Sequence, residues 1–403
     1  MIADQHPSTV RCPACHSIVV ATAFCSDCGA DTEAPVSRWG VLLRPRVYAT
    51  ANREPVWLPG ISSTLFPRLP GRARAPFRVG LVVVLIAIVV LALLRVNGPL
   101  GVIATIGWPL LFLLYVWQSD AFRDIGFRIL AVTMVLGVAI GVGWWLSTVR
   151  LLAASYGVST GSGLVLLEAI NTAFLLSVGG GLLMLVPAVV ARLMAGPVRE
   201  SLDGFVVGAF GALWYATAAT TTIMAPQFVE GLIEEHSALR MLDDSIRTGV
   251  VNPIVTTAAG GLVGLVLWFR PGKRSEDGAL PARTAVIPVH PRTAVFLCAV
   301  LAVGCYIAVW AVDGMTLPRA AELGLQLALS VLALLTVRCG VQIALLHETP
   351  DPPTDDPILC VYCEKVEPDG AFCGCCGAAA RAASRSSRVL RRRNRPVLQR
   401  AAG

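Results

Sequence analysis

Charge is scarce in this sequence. Asp, Glu, Lys and Arg together make up 15% of its 403 residues, against 55% hydrophobic residues, and the mean hydropathy is +0.68. So little charge excludes a soluble globular protein. Apolar runs longer than about 18 residues point instead to membrane helices. A phosphate loop, a hydrolase elbow and a nucleotide-binding fingerprint are also lacking. The first 30 residues hold no continuous apolar region, so no secretory signal is expected there. The net charge of +7 does not imply nucleic acid, because arginines in a membrane protein mark its cytoplasmic face.

Hydropathy gives eight spans: Val79–Leu94, Gly98–Trp117, Ile129–Leu146, Phe174–Leu193, Gly204–Ala225, Val250–Phe269, Ala294–Val312 and Glu322–Leu346. The apolar run Leu164–Leu193 is interrupted by Gly179-Gly180-Gly181 and Pro187. Its first part, Gly163–Ala173, is expected to be interfacial or a bent outer end, since one straight helix of that length would outrun the hydrocarbon core. The centre of the bundle is expected at Ser201–Pro226. There Gly204, Gly208 and Gly211 fall at helical spacings of four and three, and small residues so placed let a second helix approach closely.

An even number of spans puts both ends on one side. Arg123, Arg128, Arg192, Arg199, Arg270, Lys273, Arg274, Arg283 and Arg292 fall in loops on the side of the termini. Arg95, Arg150, Arg240, Arg247 and Arg319 fall on the other. The N-terminal arm and the C-terminal tail add further arginines to the first side. The positive-inside rule then makes both termini cytoplasmic, in a multi-pass protein of the plasma membrane.

What the chain does have is a repeated cysteine pattern. Cys12 and Cys15 precede Cys25 and Cys28, with nine residues between the pairs, and Cys360, Cys363, Cys373 and Cys376 repeat that spacing. Two CxxC knuckles a short loop apart supply four thiolates to one tetrahedral zinc, so two zinc ions are expected. Four thiolates leave no open coordination position, so a structural rather than catalytic metal is expected; a redox dithiol is the alternative reading. Phe24-Cys25 and Cys28-Gly29-Ala30 recur as Phe372-Cys373 and Cys376-Gly377-Ala378. Cys375, a fifth thiol, takes the place of Asp27 and is read as a non-ligand that is able to swap into the set. Free thiolates persist in a reducing cytosol, which agrees with the arginine bias.

The connecting segments divide the chain as 1–34 zinc ribbon, 35–77 Pro/Arg-rich linker, 78–346 membrane domain, 347–357 acidic Pro-rich linker, 358–380 zinc ribbon and 381–403 basic tail. Prolines as dense as those of 35–77 forbid a long helix. Its arginines interleaved with Trp39, Trp57, Leu65 and Phe66 suit a segment on anionic lipid, or else a solvated linker. The tail holds eight arginines between Arg381 and Arg400. Tethered near a bilayer, it is expected on lipid headgroups rather than on nucleic acid.

Gln227–Gly249 reads as an outer amphipathic helix, with Glu234, Glu235 and His236 on a solvated face. Ionisable or strongly polar residues inside the spans are Glu168, Asn171, Gln326, Arg338 and Gln342. Such groups default to functional or pairing roles. Glu168 and Asn171 share a face, and Arg338 lies toward the same side as Asp203, where it can pair with Asp203 or snorkel to the interface. Cys298, Cys305 and Cys339 read as small apolar residues.

The stretches LFPRLPGRARAPFRVGL, SLDGFVVGAFGAL and TTAAGGLVGLVLWF, with the cysteine modules, resemble actinobacterial zinc-ribbon multi-pass membrane proteins, a group that implies a fold and no activity. Pro187 followed by Asp203-Gly204, Gly208 and Gly211 is also similar to the PrsW-type intramembrane protease family. That family has a Glu-Glu pair shortly after the proline, where Ala188, Val189, Val190 and Ala191 stand here, and a later histidine, where Val250–Leu267 has none. The resemblance therefore implies a fold without catalytic residues. The reading reached is an all-α polytopic membrane protein with a small four-cysteine zinc ribbon at each end, whose ribbons act as cytoplasmic interaction or sensing modules toward a protein partner. An intramembrane protease, or a transporter using Glu168 and Asn171, is the alternative.

Overall fold

The computed structural model describes residues 8–33, 43, 46–51, 54–155, 165–194, 200–230, 238–272, 290–313, 315, 317–349, 351 and 354–396. Its long helices are α2 (Gly71–Leu93), α3 (Asn97–Gln118), α5 (Phe127–Ser155), α6 (Val165–Leu193), α7 (Ser201–Glu230), α9 (Asn252–Trp268), α10 (Pro291–Asp313) and α11 (Arg319–His347). Each holds a window long and apolar enough to cross a membrane, α9 only when taken with the helical residues before it from Leu239, giving eight candidate spans among the described residues. Short helices α1 (Ile61–Leu65), α4 (Ala121–Ile125), α8 (Ala238–Ile246) and α12 (Arg385–Arg393) complete the set. Two antiparallel hairpins, β1 (Thr9–Arg11) with β2 (Ile18–Val20) and β3 (Thr354–Leu359) with β4 (Val366–Asp369), carry the first knuckle of each cysteine module.

Helix α7 forms the centre of the bundle, between α9 on one side and α5 and α6 on the other. Its buried face explains why glycine is needed. A Cβ built on Gly204 would stand 2.5 Å from the carbonyl oxygen of Gly264, and one on Gly208 would collide with that of Gly260. Gly264 and Gly260 meet α7 in the same way, so the two helices touch backbone to backbone. Gly211 faces the ring of Pro187 on α6, and Gly137 of α5 would put a Cβ 2.6 Å from the carbonyl of Gly211. Such packing gains dispersion energy over a long seam and needs no polar glue.

A Leu at position 208 has to push α9 away along this seam. We expect Gly208→Leu to cost about 3 kcal/mol, the upper range for overpacking. A detergent melting temperature equal to that of the wild-type protein would contradict the backbone contact.

Three segments narrow or correct the sequence reading. Helix α6 begins at Val165, so the described part of Gly163–Ala173 continues the fourth span as its outer end and is not a separate interfacial segment, and Gly211 of α7 gives room to the Pro187 ring. Helix α8 is no separate interfacial element: it passes through a π turn at Arg247–Val251 straight into α9. Its apolar Met241 and Leu242 pack on Ile88, Ala92 and Leu100. Glu234, Glu235 and His236 lie outside the described residues.

The third segment differs most. Prolines keep the chain at 46–51 and 54–70 out of a long helix, but much of it packs into the protein instead of standing free as a linker, with Trp57 and Leu58 left exposed. Tyr48, Ala49, Ala51, Val56, Leu65, Phe66 and Leu69 are buried, and the segment closes the end of the bundle that also carries the cysteine modules. The Phe66 ring sits among Phe77, Phe112, Tyr115 and Trp108, with its centroid 4.5 Å from that of Phe77. Gln342 of α11 holds the chain at 47–49, accepting from Ala49 N at 2.7 Å and donating to Val47 O at 3.0 Å.

Candidate metal centres and the charged lock beneath them

Cys12, Cys15, Cys25 and Cys28 converge, and so do Cys360, Cys363, Cys373 and Cys376, with all sulfurs of a set within 4.8 Å of one another. Cys12 and Cys28 Sγ are 3.6 Å apart, and Cys15 and Cys25 3.7 Å. The second set gives 3.8 Å for Cys360 and Cys376 and 3.6 Å for Cys363 and Cys373. A disulfide requires ~2.05 Å. Four ligands at ~2.3 Å around a tetrahedral ion lie ~3.8 Å apart, so the spacing fits a metal with thiolate preference. Hydrogen bonds from Cys25 and Cys28 hold the Cys15 thiol far below its ordinary value, and bonds from Cys373 and Cys376 do the same for Cys360. The same bonds push Cys25 and Cys373 upward, so in each metal-free set one sulfur gives up its proton while neighbours keep theirs.

The two modules match atom for atom in their turns. The backbone N–H of Ala14 donates to Cys12 Sγ and that of Tyr362 to Cys360 Sγ, both at 3.4 Å. His16 and Glu364 occupy the same left-handed conformation, with φ of 64° and 58°. Gly29 and Gly377 follow the last cysteine of each set with φ of 67° and 74°, where a Cβ is strained. Cys375 is not one of the four converging sulfurs of the second set. Its N–H donates to Glu367, whose carboxylate also accepts from Cys373 Sγ.

The modules then pair with each other. Phe24 N donates to Gly374 O, and Phe372 N donates to Ser26 O, both at 2.8 Å. Each phenylalanine lies on the other module's knuckle glycine: a Cβ on Gly29 would stand 2.5 Å from the Phe372 ring, and one on Gly377 would stand 3.2 Å from the Phe24 ring. This reciprocity gives a reason for the recurrence of Phe-Cys and Cys-Gly-Ala. The repeated residues are those that face one another across a pseudo-twofold contact.

The second module is also fixed to the bundle. Gly71 N donates to Val361 O at 3.1 Å, Ala379 N donates to Ala49 O at 2.7 Å, and Arg74 stacks on the Tyr362 ring at 5.0 Å. Beneath it lies a chain of charges. Arg68, fully buried, bonds Asp203 and reaches Glu200 at 3.1 Å. Glu200 also pairs with Arg388, and Arg388 donates to Asp351 at 3.0 Å. Arg381 joins Asp351 at 3.2 Å and Glu348 at 3.5 Å, and Glu348 accepts from the Ser201 hydroxyl at 2.8 Å. Burial tends to raise the Asp351 carboxyl, yet Arg388 and Arg381 hold it below its usual value. At Glu348 burial outweighs Arg381 and raises it.

Asp203 and Arg338 therefore do not meet. Arg338 neither snorkels nor pairs with Asp203: it is fully buried, lies 4.1 Å over the Tyr48 ring, donates to Leu58 O at 2.7 Å and reaches Glu54 at 3.3 Å. The side chains of Glu168 and Asn171 lie outside the described residues. Sequence reasoning missed Arg68, Glu200, Glu348, Asp351 and Arg388. The available signal was an acidic segment before the second module facing a basic one after it. No protein-family model, curated protein or solved structure matches the chain.

Proposed function

We propose that this is a plasma-membrane protein with both termini in the cytosol, whose two ribbons each hold one zinc ion and together present a platform for a protein partner. The observation that carries this reading is the pairing of the two four-cysteine sites, edge to edge, at the bundle end where the second module is fastened. Closed four-thiolate sites do no chemistry on a substrate, but they supply the folding energy of modules too small for an apolar core. A platform that exists only when its metal is bound responds to zinc supply and to oxidants, and that is the sense in which the ribbons are sensors.

The arginine bias of the loops and the thiol chemistry support the cytosolic placement. Elemental analysis of reduced, purified protein is expected to give two zinc ions per chain. Zinc-free protein, or disulfides in both modules, would reject the reading. Partner capture from native membranes should be lost when the ribbons are removed and should return when they are restored.

A further inference from the structure

Helix α12 is inside out for a surface helix. Its buried face is made of arginines: Arg388 reaches Glu200 and Asp351, and Arg392 reaches Asp369 at 2.7 Å. Its outward face carries Val389 at 43% and Leu390 at 52% exposure, with Arg393 beside them. A helix that meets water on its open side places these residue types the other way round. The tail's arginines Arg381, Arg388, Arg392 and Arg395 have carboxylate partners within the chain.

The α4 corner supplies the continuation. Asp124 of α4 accepts from the first two amides of α12, at 2.6 Å from Arg385 and 3.0 Å from Ser386. On either side of Asp124 the rings of Phe122 and Phe127 touch, with centroids 5.8 Å apart and exposures of 43% and 65%. Trp117, at the end of α3, is 74% exposed. Arg123 and Arg128 are exposed beside these rings in sequence, Arg123 in a loose surface pair of 4.0 Å with the exposed Asp120. Leu390 is five residues along α12 from the Asp124 contact, about 7.5 Å. Aromatic rings with arginines at the end of an apolar span are the composition of a membrane–water interface.

We propose that the outward face of α12 and the α4 corner form one lipid-binding surface. In it Val389, Leu390, Trp117, Phe122 and Phe127 enter the acyl boundary, while Arg123 and Arg128 meet anionic headgroups. The tail then binds the bilayer by its apolar face and the bundle by its arginines. This deepens the membrane reading above and is independent of what the ribbons bind.

The test uses the full chain in bilayers of equal phosphatidylcholine and phosphatidylglycerol. Benzoylphenylalanine replaces Leu390, Phe127 or Val366 one at a time; Val366 is exposed on β4 of the ribbon. Irradiation should give phospholipid adducts at 390 and 127, several-fold richer in phosphatidylglycerol, and none at 366. The pair Arg123→Ala and Arg128→Ala should bring that enrichment near one. Adducts at 127 without adducts at 390, or cross-links from 390 to a second copy of the chain, overturn the proposal and leave the membrane reading standing. Failure at 127 as well overturns both. Unchanged enrichment in the arginine pair overturns the headgroup assignment.

Discussion

Replacing Arg68 with alanine is expected to destabilise the bundle by about 3–5 kcal/mol, the range found when one partner of a buried ion pair is removed. The side chain is fully buried, and so is that of Asp203. Burial tends to lower the affinity of Arg68 for its proton, but Asp203 and Glu200 beside it raise it above its usual value. Taking the guanidinium away strips the buried Asp203 carboxyl of its cationic partner and leaves it, among the described residues, one contact of 3.4 Å from the Glu200 amide. Glu200 keeps Arg388, so the damage centres on Asp203. The effect should spread along the 46–70 segment, because Phe66 and Leu69 flank the lost anchor and are themselves fully buried. Two measurements check this: the detergent unfolding midpoint, and the rate of protease cleavage within 46–70.

A second variant separates a charge effect from a volume effect. Arg68→Met with Asp203→Asn removes the unpaired charge and keeps most of the packing. It should recover most of the loss, since apolar replacement of a whole buried pair is often neutral. Equal instability of the double variant, or wild-type stability of Arg68→Ala, would show that the pair does not hold the segment in place.

The same pair shows where sequence reading stops. Spans, thiol sets and the glycine face of α7 were legible because each is a local signal: a long apolar run, a fixed CxxC spacing, small residues three and four apart. Gly208 could be expected to face another helix, although the identity of Gly260 as its partner could not. The 46–70 segment has no such period. Its prolines announce what it cannot form, and its arginines look like those of any juxtamembrane arm. That Arg68 is inside and Arg72 is at the surface depends on Asp203, 135 positions away. The tail is a related case. Eight arginines read as a surface for phosphate, but Asp351, Asp369 and Glu200 lie within reach of several of them once the second ribbon folds back. Composition could show that the acidic and basic segments complement each other, but not that they meet.

Loss of metal should be strongly asymmetric between the two ribbons. The first ribbon meets the second through Thr22, Phe24, Ser26 and Gly29, and its further tie is an exposed ion pair of 3.8 Å between Asp31 and Arg46. The second carries, besides this contact, the backbone bonds to Gly71 and Ala49 and the attachments of β4 and α12 through Asp369. Structural zinc sites of this size contribute on the order of 10 kcal/mol to the fold of their module. Cys363→Ser should therefore unfold the second ribbon, release the first by removing its docking edge, and free α12, so that trypsin cuts readily at Arg388 and Arg392. Cys15→Ser should unfold the first ribbon alone and leave those sites protected, because Asp369 and Asp351 still hold them. The zinc content should fall to one ion per chain in Cys15→Ser. In Cys363→Ser it should also be one, held by a first ribbon that is folded but undocked. Tryptic cleavage is followed by intact mass against time in detergent. Equal protection of Arg388 and Arg392 in the two variants would mean that α12 is held by the bundle through Glu200 and Asp124 without help from the second ribbon, and the asymmetry argument would fail.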